Sequence, residues 1–399
     1  MSMYDNDLPK WQNYIRKADT NEEMKNIILK FDMQWGINIT PATRIFYMKC
    51  LKLFATYFKD KRPEEITKDD LIVFFNAIKG KRGERMIEQT KSSVKKFFKE
   101  FYQTEEYPDL VKWIKPTRKL KPAVTREMLV TEEEVKRMIE VCDDVRDRAF
   151  ITMLLESACR LGELINIKLC DIIFGENCTT IIVNGKTGMR RVPLIHCVPY
   201  LKDWLNQHPL RSDDNAPLWV CTGRKNFGKP IMPNPMRSKL KIIAKRAGIK
   251  KRIFCHLFRH TQLTELIKNG YSELYLKKHA GWTASSKMAT VYSHLAFDDV
   301  EQKYLEMNGI LPEKEKKEPV LRPKKCAHCN EVNPATNRIC NKCLCVLDLK
   351  TALELEEKRK QIDELMNLLI LRPRVRQVLE EEVAEIENER LLMEKVRAN

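Results

Sequence analysis

The 399-residue sequence predicts a mainly α-helical protein with one small antiparallel β-sheet. Three observations carry that prediction. Capped stretches with apolar residues at helical spacing run from Asp5 to about Tyr107 and return from Thr131. Short β-rich runs bounded by turn residues gather between Cys170 and Ile195. No apolar run approaches the ~18 residues of a membrane span.

In the first segment "TNEEMKNIILKFDMQW" opens on a threonine cap, Thr20, with acids in the first turn. "TPATRIFYMKCLKLFATYF" has Thr40 as cap and Pro41 at the first helical position, and "TKDDLIVFFNAI" starts at a cap on Thr67. A fourth helix, "ERMIEQTKSSVKKFFKEFY", is expected to carry Lys91, Lys95, Lys96 and Lys99 on solvated faces. Residues 1–113 therefore read as a small helical bundle with a basic side, where the lysines suit solubility and DNA contact equally well. Residues 114–130, rich in proline and basic side chains, read as a linker.

Beyond it, "TEEEVKRMIEVC" is a capped helix, and "DRAFITMLLESACRLGELINIK" a long apolar helix expected to break near Cys159 to Gly162. "CDIIF", "CTTIIVN" and "RRVPLI" follow as three strands with turns at "GEN" and "GKTGM", and helices are expected to resume from about Pro235. Residues 131–310 form this second domain, 311–325 a charged linker, 326–348 a cysteine cluster and 349–399 two amphipathic helices.

Charge points to a partner. The chain holds 72 Lys and Arg against 55 Asp and Glu, a net +17. Residues 351–399 carry 9 basic and 12 acidic side chains, so the first 350 residues hold +20, which calls for a polyanionic partner before the tail. Residues 1–10 lack the basic start and apolar core of a secretory signal, so an intracellular, cytoplasmic protein is expected. Eight cysteines scattered singly through apolar contexts suit reduced thiols better than a disulfide framework.

Several candidate groups stand apart from this scaffold. Arg160 in "SACRLGELINIK" and Arg259 in "CHLFRHTQLTELI" each sit in an apolar helix start, where a free guanidinium fork matches phosphate oxygens. Glu163, three residues past Arg160, offers the plainer reading of an intrahelical ion pair. His256 precedes Arg259 by three and shares its helical face, while Lys186 stands at a hairpin tip. Tyr292, in "KMATVYSHLAFDD", would by itself be core filler.

The order of these parts, Arg-x-x-Glu, a hairpin Lys, His-x-x-Arg-His, Gly-Trp and a Tyr ten residues later, resembles the catalytic domain of the tyrosine recombinase/integrase family. The resemblance covers about Thr131 to Tyr304, and it implies that Arg160, Lys186, His256, Arg259, Trp282 and Tyr292 are catalytic, with Glu163 supporting Arg160. It also implies that residues 1–113 are a core-binding domain, that the two domains clamp double-stranded DNA, and that the protein acts as a homo-tetramer on two DNA sites. Two departures stand out: Gly281-Trp282 replaces the common Gly-His, with His279 slightly upstream in reserve, and Ala158-Cys159 fills the place where Gly or Thr commonly precedes the arginine. Neither removes a reacting group, so activity is expected.

The chemistry agrees. Cutting a phosphodiester requires a nucleophile, stabilisation of the charge on the non-bridging oxygens, and a proton for the departing 5′-oxygen. Tyr292 supplies the first and the two arginines the second; His256 acts as base in a positive field, and Lys186 is the candidate acid. The 3′-phosphotyrosyl bond keeps the phosphodiester energy, so rejoining consumes no ATP. No cofactor is expected for catalysis. Two rivals remain open: a DNA-binding regulator on the same scaffold, and a type IB-like topoisomerase.

Cys326-x2-Cys329-x10-Cys340-x2-Cys343, with Cys345 left over, gives four thiolates spaced to surround one structural Zn²⁺. It looks like a zinc ribbon, as in archaeal or archaeal-virus relatives of the family, which favours a mobile-element integrase over a chromosome resolvase. The last stretch places Leu355, Ile362 and Leu369, then Val375, Leu379, Val383 and Ile386, at helical spacing, for a helix pair that covers its own core or meets another subunit.

Overall fold

In the computed structural model the chain divides into two units, Met1–Ala123 and Val124–Asn399. The residues described are 7–115, 124–185, 187–286, 288–293, 304–305, 308–310 and 319–397.

The first unit is helical: α1 (Leu8–Arg16), α2 (Glu22–Trp35), α3 (Pro41–Tyr57), α4 (Lys68–Ile78), α5 (Glu84–Phe101) and the short α6 (Asp109–Lys112). Thr67 caps α4 as expected, its hydroxyl accepting the Asp70 N–H at 3.2 Å while Asp70 accepts the Thr67 N–H at 2.9 Å. The cap of α2 is Asn21 rather than Thr20. Its Oδ1 accepts the Met24 N–H at 2.7 Å while its Nδ2 donates to the Lys61 carbonyl at 2.7 Å, a second bond that no hydroxyl at Thr20 makes. Packed phenyl rings fill the core, with Phe54 edge-on to Phe74 and Phe98 at 5.6 and 5.9 Å. The four α5 lysines are half-buried rather than solvated. Lys91 and Lys96 pair with Glu88 and Glu100, Lys95 donates to the Ile114 carbonyl, and the Lys95 and Lys99 ammoniums lie over the Tyr107 ring, so neighbouring groups hold this basic face in place.

The second unit opens with α7 (Glu132–Glu140) and α8 (Val145–Glu156), then breaks before α9 (Leu161–Ile165). The break falls at residues 157–160, slightly earlier than expected, because Ala158 takes the left-handed conformation with φ 50°. Strands β1 (Ile172–Phe174), β2 (Thr179–Gly185) and β3 (Gly188–Leu194) form an antiparallel sheet in sequence order, with Ile181 opposite Val192 and Gly185 opposite Gly188 closing the hairpin. Period-2 alternation puts Ile181, Val183, Val192 and Leu194 into the core.

Helices resume at α10 (Val198–Asn206), well before Pro235, and continue through α11 (Pro233–Arg246), α12 (Cys255–Lys268), α13 (Glu273–Ala280) and α14 (Met288–Ser293). The signal for α10 was its proline in the first turn, behind which Tyr200, Leu201 and Trp204 turn into the core. The Glu156 carboxylate at the end of α8 accepts the N–H groups of Ile195, His196 and Cys197 at 2.6, 3.0 and 2.7 Å, which ties the sheet edge to the start of α10.

The linker boundaries shift. Val124, Leu129 and Val130 of the first expected linker belong to the second unit's core, while residues 116–123 lie outside the described residues. Residues 311–318 of the second also lie outside them, but Leu321 plugs the same core at 5% exposure and Lys324–Lys325 is strand β4, paired with β5 (Val332–Asn333). An apolar side chain in a charged run found a hydrophobic seat. The cysteine module rests on α10: the Tyr200 hydroxyl bonds the Thr336 hydroxyl at 3.1 Å and accepts its N–H at 3.2 Å, and Asn341 donates to Asp203 at 2.9 Å. After it come α15 (Leu349–Ile370) and α16 (Pro373–Arg397). Leu369, Val375 and Leu379 are partly covered where these helices meet, but Leu355, Ile362, Val383 and Ile386 remain 45–60% exposed, so the pair does not cover its own apolar stripe. Among the described residues no helix is long and apolar enough to cross a membrane.

Candidate active site

Local structure places each group. Arg160 is the N-cap of α9, where its backbone N–H donates to Glu163 at 3.0 Å and its Nη1 to the same carboxylate at 2.7 Å. The ion pair read from the sequence is therefore present, yet 40% of the Arg160 side chain stays exposed while Glu163 is buried. His256 and Arg259 lie on successive turns of α12, with His256 exposed at the rim and Arg259 1% exposed beneath it. Gly281 ends α13 in the left-handed conformation, φ 63°, and so turns the chain for Trp282 to fold back, its N–H bonding to the Lys277 carbonyl at 2.9 Å.

Tyr292, on α14, lies at the centre. It is 1% exposed, in a small apolar cluster with Ala158, Leu263, Leu276 and Ala280. Trp282 stacks on its ring at 5.6 Å and 27°, and the His260 ring lies tilted to it at 5.4 Å. Arg259 sits 5.6 Å from the Trp282 ring and donates to the carbonyls of Ala158 and Ala280, both at 2.7 Å. Those two bonds aim the guanidinium, and the carbonyl that accepts one of them belongs to the left-handed Ala158, a strained turn held in place by this bond. The Tyr292 hydroxyl has no hydrogen bond of good geometry among the described residues, although Arg259 is near enough to act on its charge.

Electrostatics follow from burial among cations. Burial raises the Tyr292 pKa above the ordinary phenol value, and Arg259 followed by Arg160 pull it back. Burial, and then Arg160, lowers Arg259 to about 10, which leaves it charged at neutral pH. Desolvation followed by the two arginines holds His256 below its ordinary value, so its imidazole is neutral and able to accept a proton at pH 7. His260, edge-on to His256 with ring centroids 4.6 Å apart, is lowered to about 4 by burial, then by His256 and Arg259.

The structure thus brings Arg160, Glu163, His256, Arg259, Trp282 and Tyr292 into one neighbourhood. Lys186 lies outside the described residues; its neighbour Thr187 donates to the Gly281 carbonyl at 3.1 Å, which draws the hairpin toward the Trp282 turn. Among the described residues His279 makes no ring contact with Tyr292, which packs against His260 and Trp282 instead. His279 is partly buried and pushed down to about 4 by burial and then by Arg190, and its carbonyl accepts a bond from Arg190. Arg190 and His260 are charged or titratable members of the site that the sequence did not single out. The signal for Arg190 was its place on an alternating strand, where "RR" puts one arginine inward. Arg160 and His256 also line a cavity of about 410 Å³ with Arg237, Lys241 and Arg252.

The four cysteines Cys326, Cys329, Cys340 and Cys343 bring their sulfurs within 4.8 Å of one another. Cys326 and Cys343 stand 3.5 Å apart and Cys329 and Cys340 3.6 Å, close to the ~3.8 Å edge of a tetrahedron with ~2.3 Å metal–sulfur bonds. This donor set can hold a metal ion. Cys345 forms a second group with His328 and Cys343.

The phage integrase family matches residues 128–299. Tyrosine recombinase XerA of Pyrococcus furiosus is 31% identical over 247 residues, 60% of this chain and 82% of that protein. Transposase A from transposon Tn554 of Staphylococcus aureus is 27% identical over 210 residues, 50% of this chain, and the chain spans 57% of its length. In fold, the chain is similar to the XerH site-specific recombinase in a post-cleavage complex, with a TM-score of 0.57 at 18% identity over 76% of this chain and 97% of that one. It is also similar to a lambda integrase dimer bound to a core site, at 0.56 and 17% over 75% and 82%. The chain belongs to the phage integrase family of tyrosine recombinases.

Proposed function

We propose that this protein is a site-specific DNA recombinase that cuts and rejoins DNA through a 3′-phosphotyrosyl intermediate. The observation that carries the reading is that Trp282 and His260 pack on the Tyr292 ring, Arg259 and Arg160 act on its charge, and His256 adjoins it through His260. In the forward step the Tyr292 oxygen bonds to the scissile phosphorus, the bond to the 5′-oxygen breaks, and the phenolic proton passes to the neutral His256. Arg160 and Arg259 stabilise the charge on the non-bridging oxygens. Lys186 is assigned the proton for the departing 5′-oxygen, a role that rests on its place at the hairpin tip. Trp282 walls the phenol from solvent, and Glu163 orients Arg160. Reversal by another strand's 5′-hydroxyl joins new partners.

Double-stranded DNA is the polyanion that the basic first 350 residues call for, and Arg237, Lys241 and Arg252 beside Arg160 suit phosphates flanking the cut. Residues 1–113 serve as the core-binding domain, and residues 131–310 as the catalytic domain. Assembly as a tetramer on two sites is supported by relatives whose structures are a dimer on a core site and a tetramer on a Holliday junction. The exposed stripe of α15 and α16 is suited to subunit contact. The Tn554 transposase favours a mobile-element role. Cys326, Cys329, Cys340 and Cys343 would hold one structural Zn²⁺, which would tie the ribbon's two knuckles together; with four protein ligands it leaves no position for activating water.

A plasmid assay tests the activity. A recombinase exchanges two specific sites carried on one plasmid, whereas a type IB-like topoisomerase relaxes supercoils with no such sites, and a regulator binds without cutting. Relaxation of a site-free plasmid would contradict the proposal.

A further inference from the structure

Arg190 stands on β3, four residues past Lys186, with only 9% of its side chain exposed. Its Nε donates to the His279 carbonyl at 2.8 Å and its Nη2 to Glu163 Oε2 at 2.8 Å, 3.6 Å from the Cys159 sulfur. Its Nη1 has no partner among the described residues, and the guanidinium lies against the Gly281 turn so closely that a Cβ there would come within 2.7 Å of Nη1. One side chain thus touches three parts of the site: the carboxylate that holds Arg160, the turn that presents Trp282, and the strand that leads back to the hairpin tip.

Charge counting gives this placement a purpose. Glu163 is one buried negative charge with both oxygens engaged, Oε1 by Arg160 at 2.7 Å and Oε2 by Arg190 at 2.8 Å. Were Arg160 its sole counter-ion, the pair would be neutral and Arg160 would be spent on its neighbour. With Arg190 present the trio keeps a net positive charge. The excess resides on Arg160, the exposed member at 40% against 9%, which faces the 410 Å³ cavity. We propose that Arg190 is a positioning residue, which neutralises Glu163 so that the Arg160 charge stays available to the scissile phosphate, and which clamps the Gly281–Trp282 turn against the hairpin. The proposal rests on the recombinase reading above.

The test measures single-turnover formation of the covalent adduct on a nicked suicide duplex that carries the cleavage site mapped with wild-type protein, alongside duplex affinity. No adduct with the wild type would refute the recombinase reading itself. Given a wild-type adduct, R190Q should form it at least ~30-fold more slowly at nearly unchanged duplex affinity, because the unpaired carboxylate recaptures Arg160. Adding E163Q should restore at least ~10-fold of that loss, since no charge is left to neutralise. A purely structural arginine would show no such rescue. R190Q at the wild-type rate, or a folded E163Q/R190Q no faster than R190Q, would overturn the proposal. Should R190Q fail to fold, the double variant, which buries no unpaired carboxylate, decides. A rate within ~10-fold of E163Q alone supports the proposal, and a slower one overturns it.

Discussion

The indole of Trp282 and the phenol of Tyr292 stack with centroids 5.6 Å apart and planes 27° from parallel. The same indole lies 5.6 Å from the Arg259 guanidinium, so one side chain shields the proposed nucleophile and borders its main electrostatic partner. Trp282→Ala is expected to cost about 2–3 kcal/mol of stability and to lower the adduct rate at least tenfold by letting water and alternative rotamers reach the tyrosine. Trp282→Phe keeps a ring in place and should retain most of both. Thermal unfolding with single-turnover cleavage checks this.

Stability should fall as acid is added, in a defined window. Burial lowers His260 and His279 to about 4, so between the ordinary histidine value and pH 4 the unfolded chain binds protons that the folded chain refuses. This stability is present above the unfolded value and is lost as pH drops, with a slope approaching about 1.4 kcal/mol per pH unit for each group. Denaturant titrations at pH 7 and pH 5 measure it. Equal stability at the two would contradict these burials.

Gly281→Ala is expected to cost about 1–2 kcal/mol from the left-handed backbone alone. The added methyl also meets Arg190 at 2.7 Å, so the guanidinium must move, and adduct formation should fall further than the stability loss explains. A variant that cuts at the wild-type rate would mean the turn tolerates displacement of Arg190.

Much of this arrangement was legible in the sequence because it depends on local signals. The Thr67 and Thr131 caps, the three strands and the His256–Arg259 spacing are each written within a few residues. What escaped notice depends on contacts distant in sequence. Arg190 gains its meaning from Glu163 and His279, 27 and 89 residues away. Leu321 gains its own from a core built elsewhere, and the α5 lysines from aromatic and acidic neighbours. The left-handed Ala158 was visible only as an odd residue before the arginine; its cause is the carbonyl it lends to Arg259, 101 residues on.

The cysteine module offers a separate test. Cys340→Ser removes one of four thiolates and should abolish binding of one Zn²⁺ per chain, measured by metal content after dialysis. Because the module is seated on Tyr200 and Asp203 of α10, its loss should also lower the melting temperature of the second unit. Single-site cleavage should persist and joining of two sites should weaken, since no catalytic group lies in the module. An adduct that vanishes on chelation while the protein stays folded would tie the metal to the chemistry.

The central claim is that Tyr292 is the nucleophile, and the most direct measurement is mass spectrometry of the peptide left on DNA after incubation with the sequence flanking the gene. The account predicts a covalent adduct whose nucleotide is carried on Tyr292, absent in Tyr292→Phe even though that variant binds the duplex with nearly unchanged affinity, because only one oxygen is lost. An adduct that persists in Tyr292→Phe, or a nucleotide mapped to Tyr304, would contradict it.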